Sequence, residues 1–299
     1  MRFANAPVSY GIFGELTLDG VTTTEELLRT MAEAGYAGSE LGPPGFFGRP
    51  ERAAEAFRAS GLAAVGAYVP LNTQQPGAVL DRDLARMELT LDEIEAVDPA
   101  ALVILADEGD PGLIARPRKD RSRMLDRDGW AQLIGVVTEA AKRARDRGLE
   151  VSFHPHVATY VELPDEIERL LNDTDLSITY DIGHVVLAGG DGIALYERWR
   201  ERINHVHIKD VRPEVLEAAR AAGDDDFAGW FPRACTRLGE GESRLDEFAV
   251  ALRAAGYDRW VVVEQDREQL TPDTYQAVVA DQRANLDWLR RHLAGPAAN

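Results

Sequence analysis

Short apolar runs rich in β-branched residues recur along this chain, each followed by a longer amphipathic stretch, and no other feature of the sequence constrains the fold as strongly. Strand-like runs fall at residues 7–11, 37–41, 63–68, 102–106, 150–154, 177–181, 205–208 and 260–264. Amphipathic helical patterns lie between them, at 24–34, 130–147, 163–171, 244–255 and 274–293. Parallel neighbours in a sheet need a crossover connection, so this alternation is the pattern of βαβ units. The phrases AEAGY, RDRGL and RAAGY put Gly35, Gly148 and Gly256 just after a helix and before a strand, where a left-handed cap is wanted. A doubly wound open sheet is the competing arrangement, but no G-x-G-x-x-G follows the first strand and no Walker sequence occurs. The expected fold class is therefore α/β, a (β/α)8 barrel of the TIM type. It is expected to span residues 1–294 as a single domain, with 295–299 as a frayed tail.

A barrel of that size needs a large core, and 299 residues with 45% hydrophobic content supply one. Charge restricts the partners. Asp and Glu number 51 against 33 Lys and Arg, a formal net charge of −18, which repels phosphate backbones and anionic lipid at long range. Neither nucleic acid nor membrane is expected as a partner. No apolar run approaches the roughly 18 residues a membrane helix requires. The opening MRFANAPVSYGIFGELTLDG lacks the basic end and apolar core of a secretory leader. The expectation is a cytoplasmic protein, for which a homo-oligomer is compatible with the sequence. Cys235 is the only cysteine, so it reads as a packed thiol with no partner for a disulfide.

Three segments read as inserted loops, at 43–50, 107–129 and 210–243, and all follow strands. Loops that leave strand C-termini build the active face of such a barrel. The acidic 223–226 and the charged 116–128 runs are expected to be solvated faces. Residues 229–231, with Trp230 and Phe231 adjacent, are the better lid candidate, and Trp230 is the expected substrate contact.

The chemistry gathers at the ends of the last strands, in SFHPH (152–156), TYDIGH (179–184), HVHIKD (205–210) and VVVEQD (261–266). Each motif starts apolar and ends in imidazole or carboxylate. Charged groups at one rim of a greasy barrel are costly to desolvate unless they share a cation. Alternation along a strand points His205 and His207 the same way, and likewise His154 and His156. His154, Asp181, His207 and Glu264 would then offer two nitrogens and two carboxylate oxygens to one divalent metal. That mix suits manganese, cobalt, iron(II) or zinc better than calcium, with magnesium less natural. A lone strand-end histidine is more often a satisfied rim residue, but four strands ending this way in succession outweigh that plainer reading. His156, His184 and His205 divide among support, substrate contact and packing.

Lys209 can bind a substrate oxygen or stabilise an enolate while staying positive; its plainer reading is an ion pair. Glu40 in SELGPPGFFG can reach a substrate hydroxyl or anchor its loop. Tyr68 and Asn72, at the third strand's end, repeat that argument in weaker form, and Asp210 joins His156 as an expected substrate contact.

With those motifs in view, the chain resembles the xylose isomerase-like barrel family of sugar isomerases, epimerases and dehydratases over nearly its whole length. Within that family it resembles the inosose dehydratases most, through AGYAGSELGPPGFFG, HPH-x-x-T, YDIGHVVLAGGD, HVHIKDVRP and GYDRWVVVEQD. The resemblance implies one divalent metal, commonly manganese or cobalt, on His154, Asp181, His207 and Glu264. It also implies a small polyhydroxylated keto substrate. Related epimerases and isomerases usually carry glutamate where His154 stands, and two opposed glutamates there pass a proton between substrate faces. With His154 in place, one-direction elimination is the expectation. The implied reaction is dehydration of a keto-cyclitol or keto-sugar, with Glu264, His154 or His156 as base and Lys209, His184 or a metal-bound water as acid. The alternatives are a ketose epimerase or aldose–ketose isomerase, the metal-binding subunit of a C-glycoside-cleaving enzyme, and a non-catalytic sugar-binding module.

Overall fold

The computed structural model describes residues 1–12, 20–115, 121–268 and 270–294. Its main sheet runs through the strands β1 (Arg2–Asn5), β2 (Gly38–Ser39), β3 (Ala63–Ala64), β4 (Gly66–Leu71), β5 (Leu102–Asp107), β6 (Val151–Phe153), β7 (Ser177–Asp181) and β8 (Ile203–Ile208). A short antiparallel ribbon, β9 (Asp210–Val211) with β10 (Cys235–Thr236), follows, and β11 (Trp260–Val263) completes the sheet. Every pairing in the main sheet is parallel, in the order β3-β2-β1-β11-β8-β7-β6-β5-β4. The two ends of that order are halves of one strand, separated only by Val65. Val65 bonds Ser39 on one side, N to O at 3.1 Å, and Leu102 on the other, O to N at 3.2 Å. The sheet thus closes into an eight-position barrel, as expected.

The helices α1 (Thr24–Ala34), α2 (Pro50–Ser60), α3 (Ala78–Val97), α4 (Pro111–Ala115), α5 (Arg127–Asp146) and α6 (Pro164–Asp173) connect the first seven strands. Then come α7 (Ile182–Leu187), α8 (Gly192–Trp199), α9 (Pro213–Ala222), α10 (Phe227–Ala234), α11 (Leu245–Ala254) and α12 (Pro272–Leu293). Thr23 caps α1 by accepting from Glu26 N, and Asp126 caps α5 by accepting from Gly129 N. Gly35, Gly148 and Gly256 have φ of 100°, 79° and 66°, the left-handed backbone their positions after helices anticipate. Among the described residues no helix is long and apolar enough to cross a membrane.

Strand alternation divides the core. Val103, Leu105, Phe153, Ile178, Tyr180, Val206, Ile208, Val261 and Val263 pack outward against helices in the main apolar cluster. Ala4, Ala6, Val65 and Val262 form a separate small cluster. Toward the C-terminal ends of the strands the buried side chains become polar: Glu40, His154, Asp181, His207 and Lys209.

The first strand is a correction. Residues 7–11 were expected to form it, but Pro7–Tyr10 is a 3-10 turn ended by Gly11 at φ 69°, and the strand is Arg2–Asn5. Proline lacks the N–H an interior strand must donate and suits the first position of a helical turn. Arg2–Asn5 instead pairs with β11 and β2 on its two sides. The 107–129 insertion contains α4, and its residues 116–120 lie outside the described residues, as does the 295–299 tail. The 210–243 insertion is well organised, holding β9, β10, α9 and α10.

Candidate metal centre

A register shift between Ile178 and Thr179 sets the geometry of the site. Ile178 pairs with Ile203, but Thr179 pairs with His205, so Asp181 comes to lie beside His207. β7 passes directly into α7 at Asp181, whose Oδ1 accepts from Gly183 N at 2.8 Å and His184 N at 3.2 Å as the cap of that helix. Its other oxygen, Oδ2, faces the barrel mouth, 3.2 Å from Lys209 Nζ. Gly183 has to be glycine here, because a Cβ would lie 2.8 Å from Lys209 Cγ.

Lys209 is the centre of the arrangement. Its Nζ stands 3.1 Å from Glu264 Oε2, 2.8 Å from Asp266 Oδ2 and 3.0 Å from His184 Nε2. Burial would lower its basicity, but Asp181, Asp266 and Glu264 together push its pKa well above the usual lysine value. Lysine only donates, so Nε2 of His184 accepts and the proton of that ring sits on Nδ1. Burial, followed by the neighbouring His156, holds His184 well below its ordinary pKa. The same desolvation, with His207 next, keeps His154 neutral. His156 is pushed down to about 4 by burial and by Lys209.

His154, Asp181, His184 and Glu264 bring one ligand atom each within 4.8 Å of one another, all buried. A second buried group, Glu40 with His205 and His207, meets the same condition. The two join where His207 Nδ1 lies 3.2 Å from Glu264 Oε2. Burial alone would raise the carboxyl of Glu264, yet the charges of His207 and Lys209 draw it well below the usual range. The residues fit a divalent cation. Nδ1 of His154 is buried without a hydrogen-bond partner among the described residues, and an ammonium group already sits between two of the carboxylates, where positive charge is favoured.

Of the four expected ligands, the structure brings His154, Asp181 and Glu264 together and sets His207 at their edge. Helix α10 forms the roof. Phe231 lies parallel to His184, with centroids 5.6 Å apart and planes at 10°, and 5.6 Å from Lys209 Nζ. Phe231, not Trp230, therefore covers the site. Trp230 turns into the cluster of Val157, Leu187, Val211 and Leu216 and is 1% exposed, which corrects its expected substrate contact. Tyr68 directs its hydroxyl to Glu108 Oε1 at 2.9 Å, and His156 Nδ1 donates to Val157 O at 2.7 Å.

Asp210 is also a correction. Its Oδ2 accepts from Gly239 N and Gly241 N at 2.8 and 2.9 Å, and its Oδ1 from Val211 N and Ser243 N at 3.1 Å each. Both oxygens are committed to backbone, so Asp210 organises the loop and does not reach substrate. Asp210→Ala is expected to destabilise by about 2–4 kcal/mol, because buried N–H groups lose their acceptor. Thermal melting checks this, with Asp210→Asn falling between; an unchanged melting temperature with a raised KM would return Asp210 to the substrate. Phe231 lies in the expected 229–231 lid, whereas Asp266 and Glu108 were not singled out from the sequence. Only Asp266 had a signal there, since it stands two residues after Glu264 on the same face.

A closed parallel barrel with imidazoles and carboxylates buried at its C-terminal mouth defines a class of metal-site α/β barrels. The chain belongs to the xylose isomerase-like TIM barrel family, which matches residues 28–292. It is 33% identical to the rhizopine catabolism protein MocC of Rhizobium meliloti, over 92% of this chain and 85% of that protein. With the inosose dehydratase of Geobacillus thermodenitrificans it shares 26% identity, over 92% of this chain and 93% of that enzyme. The crystal structure of the IolI protein with a bound zinc atom superposes with a TM-score of 0.74 at 13% identity, covering 99% of this chain and 100% of that one. This last likeness is one of fold.

Proposed function

We propose that the protein is a divalent-metal-dependent hydro-lyase that dehydrates an inosose or a related keto-sugar. The observation that carries the reading is His154: a neutral, buried imidazole within the ligand cluster opposite Glu264. An epimerase needs a matched acid–base group on each face of its substrate, and an imidazole set against an ion-paired carboxylate is not such a pair. The relatives named inosose dehydratase support the same direction.

His154, Asp181, His207 and Glu264 would hold the ion, with His184 beside them; manganese or cobalt suits two nitrogens and two oxygens, and zinc, iron(II) or magnesium are further candidates. When bound, the cation polarises a substrate carbonyl and lowers the cost of the negative charge that develops on it. His156 donates through Nδ1 to Val157, so its Nε2 keeps a lone pair for the proton beside the carbonyl. Lys209 remains an ammonium and supplies the proton that turns the departing β-hydroxyl into water. One proton leaves carbon and one joins the hydroxyl, so the product is lighter by one water. Phe231 keeps bulk water off that exchange. The acidic chain and small substrate fit work in the cytoplasm on a metabolite, with residues 1–294 acting as one barrel domain.

The test is to incubate metal-reconstituted protein with a panel of inososes and ketoses and follow product mass. Loss of one water, abolished by chelator and restored by manganese or cobalt, is expected. Products of unchanged mass would identify an epimerase or isomerase, and undiminished activity in metal-free protein would remove the metal from the reading.

A further inference from the structure

Glu40 reaches the metal centre from β2, on the far side of β1 and β11 from β8. Its Oε1 lies 2.9 Å from His205 Nε2 and 2.8 Å from His207 Nε2. A carboxylate oxygen only accepts, so both rings must carry a proton on Nε2. That choice decides where His207 is basic. Its other nitrogen, Nδ1, faces Glu264 at 3.2 Å. We propose that Glu40 is a positioning residue, whose single oxygen holds the Nε2–H of His207 and so aims Nδ1 of that ring at the cation. The inference rests on the reading of His207 as a metal ligand.

His205 has a part in this. It binds the same oxygen from two residues away and pins the carboxylate in place. All three groups are buried, Glu40 at 5% exposure and the histidines at 0% and 1%, so water does not replace the carboxylate. Carboxylates that orient ligating imidazoles through the distal N–H contribute typically 10–100-fold to metal affinity.

The experiment compares wild type, Glu40→Ala and Glu40→Gln after chelator treatment, titrating each with Mn2+ and reading the free ion by electron paramagnetic resonance. Glu40→Ala is expected to bind Mn2+ about 10–100-fold more weakly, and Glu40→Gln, which keeps an acceptor oxygen, less so. Long-range proton–nitrogen spectra of the Zn2+-loaded protein give the second readout, since a purely structural role would not alter the ring. Wild type should show His207 protonated on Nε2, and Glu40→Ala should lose that signature. If Glu40→Ala does not fold, Glu40→Gln decides: weaker Mn2+ binding supports the proposal, and wild-type affinity overturns it. Variants that bind Mn2+ as wild type does, with an unchanged His207 spectrum, overturn this inference alone. A wild type that takes up no Mn2+ overturns the metal reading and this inference with it.

Discussion

Replacing Glu264 with alanine is expected to leave a folded barrel that retains no divalent ion and has lost at least three powers of ten in activity, about 4 kcal/mol of barrier. Oε2 of Glu264 is in contact with both Lys209 Nζ and His207 Nδ1, and it shares the ligand cluster with His154, Asp181 and His184. Removing it takes away one anionic ligand and leaves His207 aimed at nothing. The fold should persist, because Val261 and Val263 pack against helices and Val262 sits in the inner cluster, while Lys209 keeps Asp181 and Asp266. Metal content per chain by atomic emission, thermal melting and product mass together check the expectation. A stoichiometric ion with activity within tenfold of wild type would show that Glu264 is no ligand. Insoluble protein would assign it a structural role. Glu264→Gln separates charge from shape: it should fold as wild type does and still lose the ion.

The second large effect concerns His154, on which the choice between elimination and epimerisation turns. Burial and the nearby His207 hold this imidazole neutral. A glutamate there still offers an oxygen ligand but makes the site about one charge more negative, opposing the negative charge that grows on the substrate as its α-proton leaves. His154→Glu should keep its metal and lose dehydration by one or more powers of ten, about 1.4 kcal/mol for each. Deuterium exchange at the α-carbon divides the steps. Exchange without loss of water would put His154 after proton abstraction, and loss of both would put it at or before that step. Dehydration at the original rate would remove the reason for ranking lyase above epimerase. A product of unchanged mass, absent in wild type, would show that this one position separates the two chemistries.

Most of the barrel was legible because its signals are local. Helix α1 coincides with its expected range, β7 likewise, and the glycine caps of α1, α5 and α11 fall where AEAGY, RDRGL and RAAGY put them. Local signals failed where a distant partner decides. Arg2–Asn5 is a strand because β11, from the other end of the chain, pairs with it. Adjacent aromatics in α10 could not be told apart by composition, since only the packing against α9 and α7 turns Trp230 away and lays Phe231 over His184. Asp210 follows His207 by three residues, yet β9 and the Gly239–Ser243 backbone claim its oxygens.

The strand-end motifs by themselves determined which side chains belong to the mouth of the barrel, because alternation along a strand assigns each residue a face whatever its neighbours are. His205, His207 and Lys209 share a face for that reason, as do Glu264 and Asp266. Which of those groups touch was decided only by the tertiary structure. The register shift at Ile178 and Thr179 sets Asp181 beside His207. Closure at Val65 completes the circle of strands, and across its interior Glu40 meets His205 and His207. Register and closure are properties of pairings between segments far apart in the chain, and periodicity within one segment carries no information about the offset at which it meets another.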